Sequence, residues 1–171
     1  LHTFRYGYMP QNHVDLWLSQ IAAGAFRLKS KRPELRVKLL SDGAHEMCNL
    51  LRDHFPSEVF GDVEQGIDFW HVIEKLAPAA DVIFGASQAQ VELHRWRVRL
   101  HRANSAGAEI LAELRASGLE GQHKDSKRPV RDAMTYFENH AQHMRFARSL
   151  RLGLPIGSGA VEATCKTLVA I

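Results

Sequence analysis

At 171 residues, 45% hydrophobic and 24% charged, the chain has the size and composition of one globular domain, which excludes a disordered tail. Lys and Arg exceed Asp and Glu only enough to leave a formal charge of +3, a modest excess that by itself names no partner. Charges bound or interrupt even the best apolar runs, around 21–26 and 76–84. No stretch approaches the roughly 20 apolar residues of a membrane helix, so the chain is expected to be soluble. Cys48 and Cys165 stand far apart without CxxC spacing, which favours two free thiols in a reducing cytoplasm over a disulfide or a cysteine-based zinc site. The chain begins with Leu1 and lacks a signal-peptide layout, so its start is expected to be a processed end or a cut inside a longer protein.

In chain order, residues 2–9 carry Thr3, Phe4, Tyr6 and Tyr8 and predict a strand ended by Met9 and Pro10. From Val14, apolar residues at near-helical spacing (Leu16, Leu18, Ile21, Ala22, Phe26) predict a helix that dissolves into Arg27, Lys29, Lys31 and Arg32 before Pro33. Leu35 to Leu40 reads as a buried strand that stops at Ser41, Asp42 and Gly43. A helix over 44–55, stopped by Pro56, precedes a short strand suggested by Val59, Phe60, Val63 and Ile67. Residues 70–84 place Trp70, Ile73, Leu76, Ala77, Ala80 and Phe84 on one face of an amphipathic helix. The first half is thus βαβαβα, the order of an α/β layer with at least partly parallel strands.

The second half changes character. From Ser87 to Leu150 every periodic segment fits a helix, with Gly118, Gly121 and Pro129 as punctuation. A glycine-rich loop, 152–159, then feeds a helix start at Ala160.

Two acidic positions stand out by their place. Asp42 ends a buried strand, with Gly43 allowing a tight exit, and the C-terminal edge of parallel strands is where α/β proteins bind ligands. It equally suits a cap for the following helix. Glu162 lies one turn into the helix opened by Gly157, Ser158 and Gly159, either aimed at the sheet edge or simply paired with Lys166 at i+4. The loop from Pro155 to Gly159 could cradle an anion, although the order of a Walker motif is absent. Asp68 and His71 form a DxxH pair at a strand–helix junction, able to flank an acidic site or to act as cap and neighbour. Glu138, His140 and His143 favour a solvated face, since no third ligand has suitable spacing. Arg95, Arg99 and Arg102 share one helical face opposite much of the apolar set, and further arginines recur at Arg145, Arg148 and Arg151. Such faces suit a phosphate backbone or plain solvent.

Taken together, these segments resemble insertion-sequence transposases of the ISKra group, related in style to Mutator-like transposases with an RNase H-like catalytic domain. The resemblance rests on Tyr6–Pro10, Leu40-Ser-Asp-Gly-Ala44, Asp68-Phe-Trp-His71 with Lys75-Leu76, Tyr136-Phe-Glu-Asn-His140 with Met144, and above all the run from Gly153 to Lys166. It implies an α/β fold: an incomplete RNase H-like core over 1–86, a helical insertion over 87–150, and the catalytic-Glu helix returning over 151–171. Asp42 matches the second Asp of an Asp-Asp-Glu triad and Glu162 its Glu, both as catalytic and metal-ligating groups. Asp68 and His71 match an accessory DxxH motif. The implied cofactor is Mg²⁺ or Mn²⁺, hard cations that carboxylates hold for in-line attack on a phosphodiester. The implied partner is DNA, touched by Arg95, Arg99, Arg102 and Lys166, in a homo-oligomeric cytoplasmic protein that is nucleoid-associated when bound, with no membrane.

The chain departs from the family pattern at both ends. The first Asp of the triad would lie upstream of Leu1, and the final helix stops at Ile171. The expectation is therefore a piece of a DNA transposase that is inactive alone, with a non-catalytic DNA-binding remnant of a mobile element as the alternative. A small-anion-binding α/β protein using the 155–159 loop is the third reading.

Overall fold

The computed structural model describes residues 14–118 and 128–157, which form two compact units, one over 14–65 and one over 66–157. The chain is mostly helical with a small two-stranded parallel sheet, an α/β mixed class. The expected N-terminal strand over 2–9 and the helix carrying Glu162 lie outside the described residues.

In the first unit, helix α1 (Val14–Lys31) is followed by strand β1 (Val37–Ser41), helix α2 (His45–His54), the single turn α3 (Ser57–Phe60) and strand β2 (Val63–Ile67), whose last two residues belong to the second unit. β1 and β2 pair with each other. The strand expected across 59–67 divides. Pro56 opens a helical turn, and Gly61, at φ 73°, lets the chain reverse before Val63 resumes extended structure. Among the described residues the core here is thin: Leu39, Phe55 and Phe60 are buried together, with Ile21, Ala22, Val37, Leu51 and Val63 half-covered around them. The Phe55 and Phe60 rings lie 5.0 Å apart.

The second unit is helical: α4 (Phe69–Phe84), α5 (Ala86–Arg102), α6 (Ala106–Ala116), α7 (Arg128–His140), a 3₁₀ turn (Ala141–His143) and α8 (Phe146–Arg151). It includes α4, so the structural division falls at 65/66, ahead of the functional boundary expected at 86/87. The reason is packing. α4 buries Phe69, Val72, Ile73, Leu76, Ala79 and Ala80, a stripe at helical spacing that meets Leu93, Trp96 and Leu100 of α5 and Ala133, Met134 and Phe137 of α7 in one core. Trp70, expected on that stripe, sits beside it and is 51% exposed, because Phe69 takes the inward position one residue earlier.

No helix among the described residues is long and apolar enough to cross a membrane.

Candidate functional site

Three places in the described chain carry chemistry. The first is the C-terminal tip of β1. Ser41 Oγ accepts the Gly43 N–H at 3.3 Å and Asp42 Oδ1 accepts the Ala44 N–H at 2.9 Å, so two side chains hold the turn that leaves the strand. Gly43 has φ 98°, a conformation L side chains rarely adopt, which explains glycine after Asp42. Ala44, not Asp42, occupies the cap position of α2, and the Asp42 carboxylate is exposed at the rim of a cavity of about 500 Å³. Trp17, Leu18 and Leu51 line its apolar side, and Lys38, Ser41 and Asp42 are polar groups on its lining. Lys38, its side chain buried, lies 3.6 Å from Glu64 on the neighbouring strand. Burial pushes its ammonium below the usual lysine range, and Glu64 acts in the opposite direction.

The carboxylate of Asp42 suits a hard divalent cation in donor type. Among the described residues, no three ligand-type side chains converge to hold one. Glu162, the second expected ligand, and Lys166 lie outside the described residues.

The second place is the start of α4. Asp68, 6% exposed, caps this helix by accepting the N–H groups of Trp70 at 2.8 Å and His71 at 3.3 Å. The Phe69 N–H donates to the Ile156 carbonyl at 2.8 Å. The first three N–H groups of α4 are thus taken by the chain itself, which leaves that terminus without the open donors an anion requires. Gly157 explains part of the glycine-rich loop: a Cβ there would lie 3.0 Å from Trp70 Cδ1, so a side chain would require the Trp70 ring to give by a few tenths of an ångström. Ser158 and Gly159 fall outside the described residues.

The His71 ring has partners other than Asp68. Its Nδ1 pairs with Glu74 at 3.2 Å, and its ring meets Tyr136 of α7 at 5.8 Å. Tyr136 also stacks with His140 at 4.8 Å and receives Lys75 Nζ at 5.9 Å from its ring centre. His140 is 7% exposed, so it does not lie on a solvated face. Exposed Glu138 instead reaches across to Arg115 at 2.7 Å. Tyr136 is the residue that sequence reasoning gave no role. Its i+4 relation to His140 was the available signal, and its packing with His71 depends on how α7 meets α4.

The third place is the arginine-rich surface of the helical unit. Arg95 pairs with Glu92 at 2.7 Å. Arg99 bonds Glu109 at 2.9 Å and also Glu113, and these two carboxylates hold its guanidinium even further toward the charged form despite partial burial. Glu113 additionally accepts from Trp96 Nε1 at 2.8 Å. The face expected to meet DNA is therefore partly neutralised by acids of its own helix and of α6. Arg102 is exposed at the end of α5. A separate concavity of about 470 Å³ is lined by Asn104, Ala108, Ala141, Gln142, Arg145 and Arg148.

In comparisons with family models, with curated proteins and with solved structures, nothing matches this chain.

Proposed function

We propose that this chain is part of the catalytic domain of a DDE transposase with an RNase H-like core, in which Asp42 and Glu162 are metal ligands for DNA strand cleavage and transfer. The observation that supports the reading most is the position of Asp42: an exposed carboxylate at the C-terminal tip of a strand in a parallel pair, at the rim of a cavity. The bound Mg²⁺ or Mn²⁺ would activate the attacking oxygen and stabilise the leaving one. In this reading Asp42 and Glu162 present oxygen ligands, and arginines of the helical unit other than the carboxylate-held Arg95 and Arg99 take up backbone phosphates. Asp68 has a structural task that accounts for its acidity without metal, since it caps α4.

The test is Mn²⁺ binding by the 171-residue chain, followed by electron paramagnetic resonance. Asn at position 42 can still accept the Ala44 N–H, so Asp42→Asn should preserve the turn and the melting temperature. It should weaken Mn²⁺ binding by at least about tenfold, and Glu162→Gln should do the same, while Glu46→Gln in the first turn of α2 leaves it unchanged. Equal Mn²⁺ affinity in wild type and Asp42→Asn would overturn the reading.

A further inference from the structure

Several arginines of the helical unit are already held by acids of the chain. Arg95, Arg99, Arg115 and Arg128 are each engaged by a carboxylate: Glu92, Glu109 with Glu113, Glu138 and Asp132. Arg145 and Arg151 have no ion pair among the described residues, and both are exposed. Together with the partly buried Arg148 they recur at i, i+3 and i+6 through α8. The opposite side of α8 is fixed in the core, because Phe146, Ala147 and Ser149 are buried and the Phe146 ring packs against Phe69 at 5.2 Å. The arginine side of this short helix therefore faces outward on a rigid base.

Arg145 and Arg148 also line the cavity of about 470 Å³, whose other polar groups are the neutral amides Asn104 and Gln142. Asn104 Oδ1 accepts the Arg148 N–H at 3.0 Å, which ties the start of the α6 segment to α8 and holds the cavity wall. Among the described residues, no carboxylate lines this space. Its volume exceeds that of a single phosphate ion, and the arginine row continues past it to Arg151. Cationic forks in series beside amide donors and acceptors complement a chain of phosphodiesters and sugars.

We propose that the cleft between Asn104 and α8, continued by Arg151, is a nucleic-acid backbone site in which Arg145, Arg148 and Arg151 contact consecutive phosphates of a DNA strand. The inference deepens the transposase reading by moving the principal backbone contacts from the α5 face, where carboxylates already hold Arg95 and Arg99, to α8. It makes no sequence-specific contact necessary, since contacts to backbone phosphates position rather than specify.

The experiment is fluorescence anisotropy of a labelled random-sequence duplex of about 20 base pairs, titrated with the 171-residue chain between about 50 and about 200 mM salt. Removing two phosphate contacts in Arg145→Gln/Arg151→Gln should flatten the slope of log affinity against log salt by about 1.8 and lower affinity roughly tenfold at the low-salt end. Arg145→Lys/Arg151→Lys keeps the charges and should retain the slope. Arg95→Gln/Arg99→Gln should leave it unchanged. Matching melting curves show that each variant is folded. Wild-type affinity and slope in Arg145→Gln/Arg151→Gln overturn the site while leaving the transposase reading, which the Mn²⁺ experiment tests separately. Absence of any salt-dependent binding by the wild type overturns it as well. So does a free-anion site, shown if inorganic phosphate raises the melting temperature of the wild type but not of Arg145→Gln/Arg151→Gln while the duplex binds neither.

Discussion

The two units of this chain solve the problem of burial with very different resources. Among the described residues of the unit over 66–157, twenty-one buried residues form one continuous cluster, many of them without any solvent exposure. Among the described residues of the unit over 14–65, three side chains are buried together, and the two paired strands keep most of their residues only half-covered. The candidate carboxylate sits on the thin unit and the arginine cleft on the thick one. A thick helical core is a firm support for a repeated phosphate contact. The turn at Asp42 is held by local side-chain bonds.

The largest expected effect tests this contrast directly. Phe137 is fully buried at the α7–α4 contact, and Phe137→Ala should cost about 4 to 5 kcal/mol, the upper part of the range for an aromatic deleted from a packed core. Phe60 is nearly as buried but has a smaller cluster around it, with Phe26 at 6.5 Å and itself 49% exposed, able to settle into the space. Phe60→Ala should therefore cost about 3 kcal/mol. Urea unfolding, read alongside amide exchange for each unit, gives both values. A reversed order would break the distinction between thick and thin cores.

How much of this was legible beforehand differs by element. Part of the α4 stripe, Ile73, Leu76 and Ala80, follows from residue spacing, yet spacing also enlisted Trp70 and passed over Phe69, Val72 and Ala79, because a helical wheel cannot say that Phe69 will take the inward place and leave its neighbour in solvent. Val59 and Phe60 carry strand-like side chains but form a helical turn, since Pro56 and the positive φ of Gly61 fix the backbone around them. The site shows the same division. Asp42 at a strand tip could be inferred from Ser41-Asp42-Gly43 following an apolar alternation. The neutralised state of Arg99 could not, because Glu109 and Glu113 reach it from α6, ten and fourteen residues later. Nor could the exclusion of anions from the start of α4, which depends on the Ile156 carbonyl arriving from the far end of the unit.

A smaller effect sharpens the comparison at the level of helix starts. In the helical unit, the nearly buried Asp68 satisfies two N–H groups at the start of α4, so Asp68→Ala should cost about 1 to 2 kcal/mol, whereas Asp68→Asn, which can still accept both bonds, should cost only a few tenths. In the other unit the matching change, Asp42→Ala, removes the bond to the Ala44 N–H at an exposed turn and should cost about 0.5 kcal/mol. Thermal melts of the three variants provide the check. A loss from Asp42→Ala as large as that from Asp68→Ala would mean that the β1 turn is a structural keystone, and the case for a ligand-binding role of Asp42 would weaken accordingly.

The smallest effect concerns pH and the edge of the thick core. The His101 ring lies over Phe69 with centroids 4.5 Å apart, and burial pushes its pKa below the ordinary histidine value. In the unfolded chain the same ring titrates near about 6.5. Above that pH both states hold it neutral, and it adds no pH dependence. As the solution is acidified below it, the unfolded state takes up the proton first, so the folded state loses stability until the folded ring also becomes protonated. The residue as a whole is exposed, which keeps the loss small through solvent screening. The measurement is a difference, so that contributions from the rest of the chain cancel: the melting temperature of wild type minus that of His101→Phe, which retains an aromatic ring over Phe69, from pH 8 to pH 5. The difference should be level at the alkaline end and fall against the wild type below about pH 6.5. A wild type that gains on the variant with acidification would mean that the folded unit favours the charged ring, so that the Phe69 contact does not govern its protonation.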